Sequence, residues 1–227
     1  MPTPRRDFIV RSSALVTSTL VQPLSSLVAQ AKGAKKPEED EDVSTNEDLM
    51  REHGVLNRVL LIYDEGIRRI STKEKFDTNV IAKSAELIKR FIEDYHEKLE
   101  ENHLFPRFEK AGKLVDLVKT LRAQHAAGRN VTESILTSVK AGDLQATGAS
   151  LAAFVRMYRP HEAREDTVLF PALHDIVSRH EYDALGEQFE TIERKTFGGD
   201  GFDMAVDQVT ALEKQLGIYD LAQFTPK

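Results

Sequence analysis

Two eleven-residue stretches constrain this chain more than anything else in it. HEKLEENHLFP starts at His96 and HEAREDTVLFP starts at His161. Each is helical in pattern, sets a histidine and a glutamate four residues apart, adds further acid, and stops at Leu-Phe-Pro. Residues four apart on a helix point the same way. His96 with Glu100, and His161 with Glu165, therefore each present an imidazole and a carboxylate to one side. A fold containing this chain must find a place for that side twice.

The surrounding periodicity says where it goes. A capping-box signature, Ser44-Thr45-Asn46-Glu47, opens a first helix over about 45–71. Its apolar positions Leu49, Leu56, Leu60, Tyr63 and Ile67 follow one helical face, and His53 fills the gap in that stripe. A second helix, about 77–109, carries Ile81, Ile88, Ile92 and Leu99, and His96 and Glu100 continue its stripe. A third, about 114–140, carries Leu114, Leu117, Leu121, Ile135 and Val139, with His125 four after Leu121. A fourth, about 143–174, reads Leu151, Phe154, Tyr158, His161, Glu165, Val168 and Ala172. Breaks fall at 71–73, at Ala111-Gly112 and at Ala141-Gly142. Connections that short favour antiparallel neighbours. The expected fold is all-α: an up-down-up-down four-helix bundle over 45–175, with a C-terminal helical appendage over 176–227. Two further helices are expected there, about 180–195 and 203–216, around the glycine-rich FGGDGF.

Six polar residues thus occupy stripe positions that a bundle normally gives to leucine or isoleucine. A lone stripe histidine is ordinarily a hydrogen-bonded core residue, and one H-x-x-x-E pair is common on a wet surface. Four stripe histidines, one per helix, with two duplicated H-x-x-x-E sets, are a different matter. Burying an unpaired carboxylate costs several kcal/mol, and two facing carboxylates repel. A dinuclear metal centre with bridging carboxylates resolves that cost, and facing helices are where bundles build one. The chain has no cysteine, which removes disulfides, thiolate metal sites and thiol catalysis together. Any metal is held by nitrogen and oxygen.

The order lone His, H-E-x-x-E with L-F-P, lone His, H-E-x-x-E with L-F-P resembles the haemerythrin-like, cation-binding HHE family over about 45–175. The resemblance implies a four-helix bundle with a non-haem di-iron centre that binds O2 or reacts with it. Matching by motif, the implied ligands are His53, His96, Glu100, His125, His161 and Glu165, with Glu100 and Glu165 bridging two Fe ions. Nitrogen and oxygen donors also suit Mn or Zn, but bridging carboxylates and open positions favour iron. One departure stands out. The family's oxygen carriers have two histidines four apart on the third helix, whereas Arg129 follows His125 and Leu121 precedes it. Water, an open position or an extra carboxylate would replace that ligand. Glu97 is the first candidate and Glu162 the second, although each lies about 100° round its helix from the neighbouring ligand, where a surface role is equally natural.

Other residues carry plainer readings. His103, on the face of His96, reads as a core or rim histidine, with a gate or outer-sphere role as the alternative. Tyr158 reads as core, with a hydrogen bond near the metal as the alternative. Pro106 and Pro171 read as bends or ends of the second and fourth helices. Pro160 frees a carbonyl one turn before His161. His174 and His180 carry no role.

The first 31 residues read as an export signal. Arg5-Arg6-Asp7-Phe8-Ile9 has the form of a twin-arginine motif, followed by a weakly apolar stretch and Ala29-Gln30-Ala31. The stretch is too short and polar to span a membrane. Residues 32–44 read as a charged, disordered tether. The expected location is the periplasm. With a net charge of −6 and no basic stripe, nucleic acid is not an expected partner. The expected function is binding of O2, or a relative such as NO, for sensing, storage or delivery. A redox partner is possible under a rival reading, in which the same centre serves a di-iron oxidase or peroxidase. Metal storage in a stress protein, and a metal-free interaction module, complete the set.

Overall fold

A computed structural model describes residues 43–226. The expected signal, 1–31, and nearly all of the expected tether, 32–44, lie outside the described residues.

Helix α1, Thr45–Thr72, starts where the capping box places it: the Ser44 side chain accepts from the Glu47 N–H. The second helical run, α2, spans 79–111 in five segments, beginning with Asn79–Leu87 and ending with Phe105–Ala111. Helix α3 is Val115–Ala141. The run α4 spans 144–173, from Leu144–Arg164 through Glu165–Leu169 to Phe170–Leu173. Gly112 and Gly142 end α2 and α3 with φ of 65° and 71°, a left-handed cap that side chains with a Cβ rarely adopt. Helix α1 packs against α2 and α4, and α3 packs against the same two. The described residues contain no strand, and none of their helices is long and apolar enough to cross a membrane.

Of the two roles expected for the prolines, a bend or an end, the structure excludes the end. Neither Pro106 nor Pro171 ends its helix. Each follows a π-helical turn, Glu100–Leu104 in α2 and Glu165–Leu169 in α4. A proline cannot donate a backbone hydrogen bond, and its ring crowds the carbonyl one turn back. The wider turn makes room for it. The Phe105 N–H reaches the Glu100 carbonyl and the Phe170 N–H reaches that of Glu165. Both stripe glutamates therefore open a π turn, a local geometry that is often found at functional sites.

Helices α5, Arg179–Phe197, and α6, Gly201–Leu216, lie on α1 and α2. Thr45 donates to the Tyr182 carbonyl at 2.8 Å, and Arg58 of α1 pairs with the buried Glu213 of α6. Phe189, Val209 and Leu212 join the same apolar core as the bundle, and Phe197 meets Tyr95 edge-on. These two helices seal the outer side of α1 and α2, the pair that carries His53 and His96.

Candidate metal centre

All six stripe residues turn inward and converge, and none is more than 4% exposed. His53, His96 and Glu100 form one trio and His125, His161 and Glu165 a second, the donor atoms of each trio lying within 4.8 Å of one another. The two carboxylates tie the trios together. Glu100 Oε2 is 3.7 Å from His96 Nε2 and 3.4 Å from His125 Nε2. Glu165 reaches His161 at 3.1 Å, His53 at 3.5 Å and His125 at 4.0 Å, in each case toward Nε2.

Each imidazole is held from behind. Nδ1 of His53 faces Asp166 at 2.7 Å, Nδ1 of His96 faces Glu52 at 2.6 Å, and Nδ1 of His125 faces Glu101 at 3.2 Å. Nδ1 of His161 faces the Gln124 side-chain oxygen at 2.9 Å. A carboxylate or amide oxygen only accepts, so Nδ1 carries the proton and the Nε2 lone pair points into the site. The L-F-P repeat completes this positioning. Phe105 stacks on His125 and Phe170 on His53, with ring centroids 5.4 and 5.5 Å apart.

The arrangement fits a pair of cations. Nε2 of His53 and His96 stand 3.0 Å apart, and those of His125 and His161 stand 3.2 Å apart. With Nδ1 protonated throughout, these are lone pairs aimed at each other. All four carboxylate oxygens of Glu100 and Glu165 are buried without a hydrogen-bond partner. Unpaired buried oxygens are costly, and a cation between them satisfies both groups at once. Electrostatics agree. Burial first, and then the charge of Glu165, hold the Glu100 carboxyl well above the usual carboxylate range. Burial also lowers His96. For His53, burial opposes the charged form, but the Asp166 hydrogen bond and the Glu165 charge outweigh it and the ring is raised.

The surface role considered for Glu97 and Glu162 does not hold. Both are buried. Glu97 accepts from the Tyr158 hydroxyl at 2.7 Å and from Arg129 Nη2 at 2.6 Å. Tyr158 is thus more than core packing, and its ring meets His161 edge-on at 5.4 Å. Arg129 also reaches Glu101 at 2.7 Å. Glu97, Glu101 and His125 form a third trio of possible donors, but the guanidinium already stands among them as the cation. Glu162 accepts from Asn57 at 3.0 Å. Burial pushes Glu97 up to about 8 and Glu162 up to about 7. His103 is half-buried beside Phe189, a rim histidine. His174 lies against Tyr182.

Sequence reasoning missed the four groups behind the rings, Glu52, Asp166, Glu101 and Gln124. A signal for them does exist. Each lies one residue from a stripe ligand, and the two halves repeat the placement: acid or amide before the lone histidine, acid after the stripe glutamate.

Comparison with known proteins gives the same region a family. The model of the hemerythrin HHE cation-binding domain matches residues 44–173. An uncharacterized protein of Mycobacterium tuberculosis strain H37Rv, Rv1995, is 50% identical over 196 residues, covering 84% of this chain and 77% of its own. The uncharacterized protein Mb2018 of Mycobacterium bovis gives the same figures. No solved structure matches the chain significantly.

Proposed function

The chain belongs to the hemerythrin HHE cation-binding domain family, and from that premise we propose that it is a non-haem di-iron protein that binds O2 or a related diatomic such as NO. A metal-binding role follows from the family and from the two His/Glu trios. The finer reading rests on one observation: four Nε2 lone pairs and four unpartnered carboxylate oxygens meet in one buried space. His53, His96, Glu100 and Glu165 would hold one ion, and His125, His161 and the same two glutamates the other. Iron bound there supplies reversible one-electron chemistry and open coordination positions for a small ligand.

The chain's own residues do the rest. Glu52, Asp166, Glu101 and Gln124 fix the ring tautomers and aim the donors. Phe105, Phe170, Leu104 and Leu169, all fully buried, exclude bulk water and restrict entry to small molecules. Tyr158 and Arg129 hold Glu97 beside the second trio as a buried carboxylate ready to accept or return a proton.

That last contact supports the rival reading, an oxidase or peroxidase, because a phenol–carboxylate pair next to His161 can move protons during turnover. Anaerobic loading of the metal-free protein with Fe(II), followed by air and then degassing, separates the two. Two irons per chain and an optical band that appears in air and reverses on degassing are expected. Irreversible bleaching with turnover of peroxide or a reductant favours the enzyme. Failure to retain iron overturns both. We further propose export to the periplasm, supported by the twin-arginine motif at Arg5-Arg6. Loss of export when both arginines become lysine tests it.

A further inference from the structure

The two halves of the centre superimpose in logic but not in charge. The first lone histidine is preceded by Glu52, which backs His96, and the second is preceded by Gln124, which backs His161. Asp166, one after Glu165, backs His53, and Glu101, one after Glu100, backs His125. Four residues after each lone histidine stands the partner of the remaining buried glutamate: Asn57 for Glu162 and Arg129 for Glu97.

The consequences fall on the rings. In the first half both Nδ1 protons go to carboxylates, at 2.6 and 2.7 Å. Among the described residues neither Glu52 nor Asp166 forms an ion pair with a lysine or arginine; their only ion-pair partners are the imidazoles. In the second half one Nδ1 proton goes to a neutral amide. The other goes at 3.2 Å to Glu101, whose charge is already shared by Arg129 at 2.7 Å and Lys98 at 2.6 Å. A carboxylate behind an imidazole makes Nε2 a stronger donor, and such outer partners typically change metal affinity 10–100-fold. A nearby guanidinium also disfavours a second cation.

Resting on the dinuclear reading above, we infer that the two metal positions are unequal: the His53–His96 position holds the tight ion and the His125–His161 position the weak, exchangeable one. Glu52 against Gln124, and a free Asp166 against an arginine-paired Glu101, set the ranking. They are positioning residues, acting through the rings they touch.

Zinc is the probe, because it binds nitrogen and oxygen donors without redox chemistry. Metal-free full-length protein is titrated with Zn(II) against a chromophoric chelator. Two steps are expected, separated by about tenfold or more in Kd. His161→Ala should keep the tight step, and His96→Ala should keep only the weak one. Glu52→Gln should weaken the tight step by about 10–100-fold, and Gln124→Glu should strengthen the weak one. The double variant E52Q/Q124E should bring the two steps together or reverse them. These exchanges keep side-chain size, and should Glu52→Gln fail to fold, Gln124→Glu carries the test alone. Two equal steps in the natural protein, or loss of the tight step in His161→Ala, overturn the ranking and leave the dinuclear reading standing. Binding of no zinc at all overturns that reading, and the ranking with it.

Discussion

The His53–His96 half of the centre and the His125–His161 half were built to one plan and then populated differently. The shared parts are those that a cation demands: a stripe histidine from each helix, a glutamate four after the second one, a π turn opened by that glutamate, and a phenylalanine stacked on the neighbouring ring. The differing parts surround them. Where the first half has Leu56 three residues after its lone histidine, the second has Gly128. Where α2 has Glu93 three before His96, α4 has Tyr158 three before His161. Gly128 explains the pairing. A Cβ there would stand 2.0 Å from the Tyr158 hydroxyl, so the missing side chain is what lets the phenol reach Glu97. The first half has the apolar Leu56 in place of that glycine and keeps Glu52 and Asp166 free of lysine and arginine. The second carries a phenol, a guanidinium and a neutral amide. On the dinuclear reading, common geometry with unequal surroundings fits two positions of unequal affinity.

The largest effect is expected where the halves are joined. Glu100 stands within 3.7 Å of Nε2 atoms from both halves, so Glu100→Ala removes an oxygen that each ion would share. Metal content should fall from two ions per chain to one or none, and most of the metal-dependent rise in Tm should go with it. Elemental analysis with a thermal melt reads both. Two ions retained at full occupancy would show that Glu100 does not bridge.

Next in size is Gly128→Ala, which imposes the first half's bulk on the second. The Tyr158 hydroxyl must move, and with it a hydrogen bond that a buried glutamate needs. A cost of about 2 kcal/mol in stability is expected, from overpacking and a poorly satisfied Glu97. Denaturant unfolding measures it. Leu56→Ala, at the matching place, opens a cavity instead and leaves the Tyr158–Glu97 contact alone. If Gly128→Ala costs nothing, Tyr158 is not confined as described.

A pH series sharpens the comparison further. In the metal-free protein burial raises Glu97 to about 8 and Glu162 to about 7, from an ordinary 4.5, and raises Glu100 as well. His96 and His125, lowered chiefly by burial, are at the midpoint of their unfolded-state titration at 6.5 and offset only the lower end of the range. Between about pH 6.5 and 8 the folded metal-free chain therefore holds more protons than the unfolded one. Its stability falls as pH rises across that window. Metal binding displaces protons from the same centre, so the stability gained from metal should grow over the same range. Urea unfolding with and without Zn(II) at several pH values checks both slopes. A metal-free protein that grows more stable from pH 6.5 to 8 contradicts the assignment.

The sequence was informative wherever period alone decides. Four stripes and the six inward residues follow from 3.6-residue spacing, the first helix's start follows from its capping box, and the two Gly breaks follow from the need for a positive φ. It was silent wherever two helices must meet. Glu52 and Gln124 lie about 100° off their own stripes, so helical period alone does not tell them from surface residues, and only their repeated placement beside a stripe histidine marks them. Only the crossing of α1 with α2, and of α3 with α4, brings each to a neighbour's ring. Arg129 read as a missing ligand because its helix position suits one; its long side chain instead carries the charge sideways to Glu97 and Glu101. The prolines read as bends or ends, and the sequence does not show which, because it does not reveal that an extra residue in the turn can absorb them.

The smallest expected effect concerns His103, three residues after Glu100, where the other half has Val168 three after Glu165. His103 is half-buried and meets Phe189 of α5 at 5.8 Å, so its ring covers the seam between bundle and appendage rather than entering the centre. Burial and the charge of Arg107 lower its pKa, so near neutral pH it is an uncharged aromatic rim residue. His103→Val makes the two halves alike at this point. Metal content should stay at two ions per chain, and stability should change by no more than about 0.5 kcal/mol, as for a surface exchange that breaks no buried hydrogen bond. A fall to one ion would make His103 a ligand and give the second helix a donor that its counterpart lacks, and the asymmetry argued from Glu52 and Gln124 would then have a competing cause.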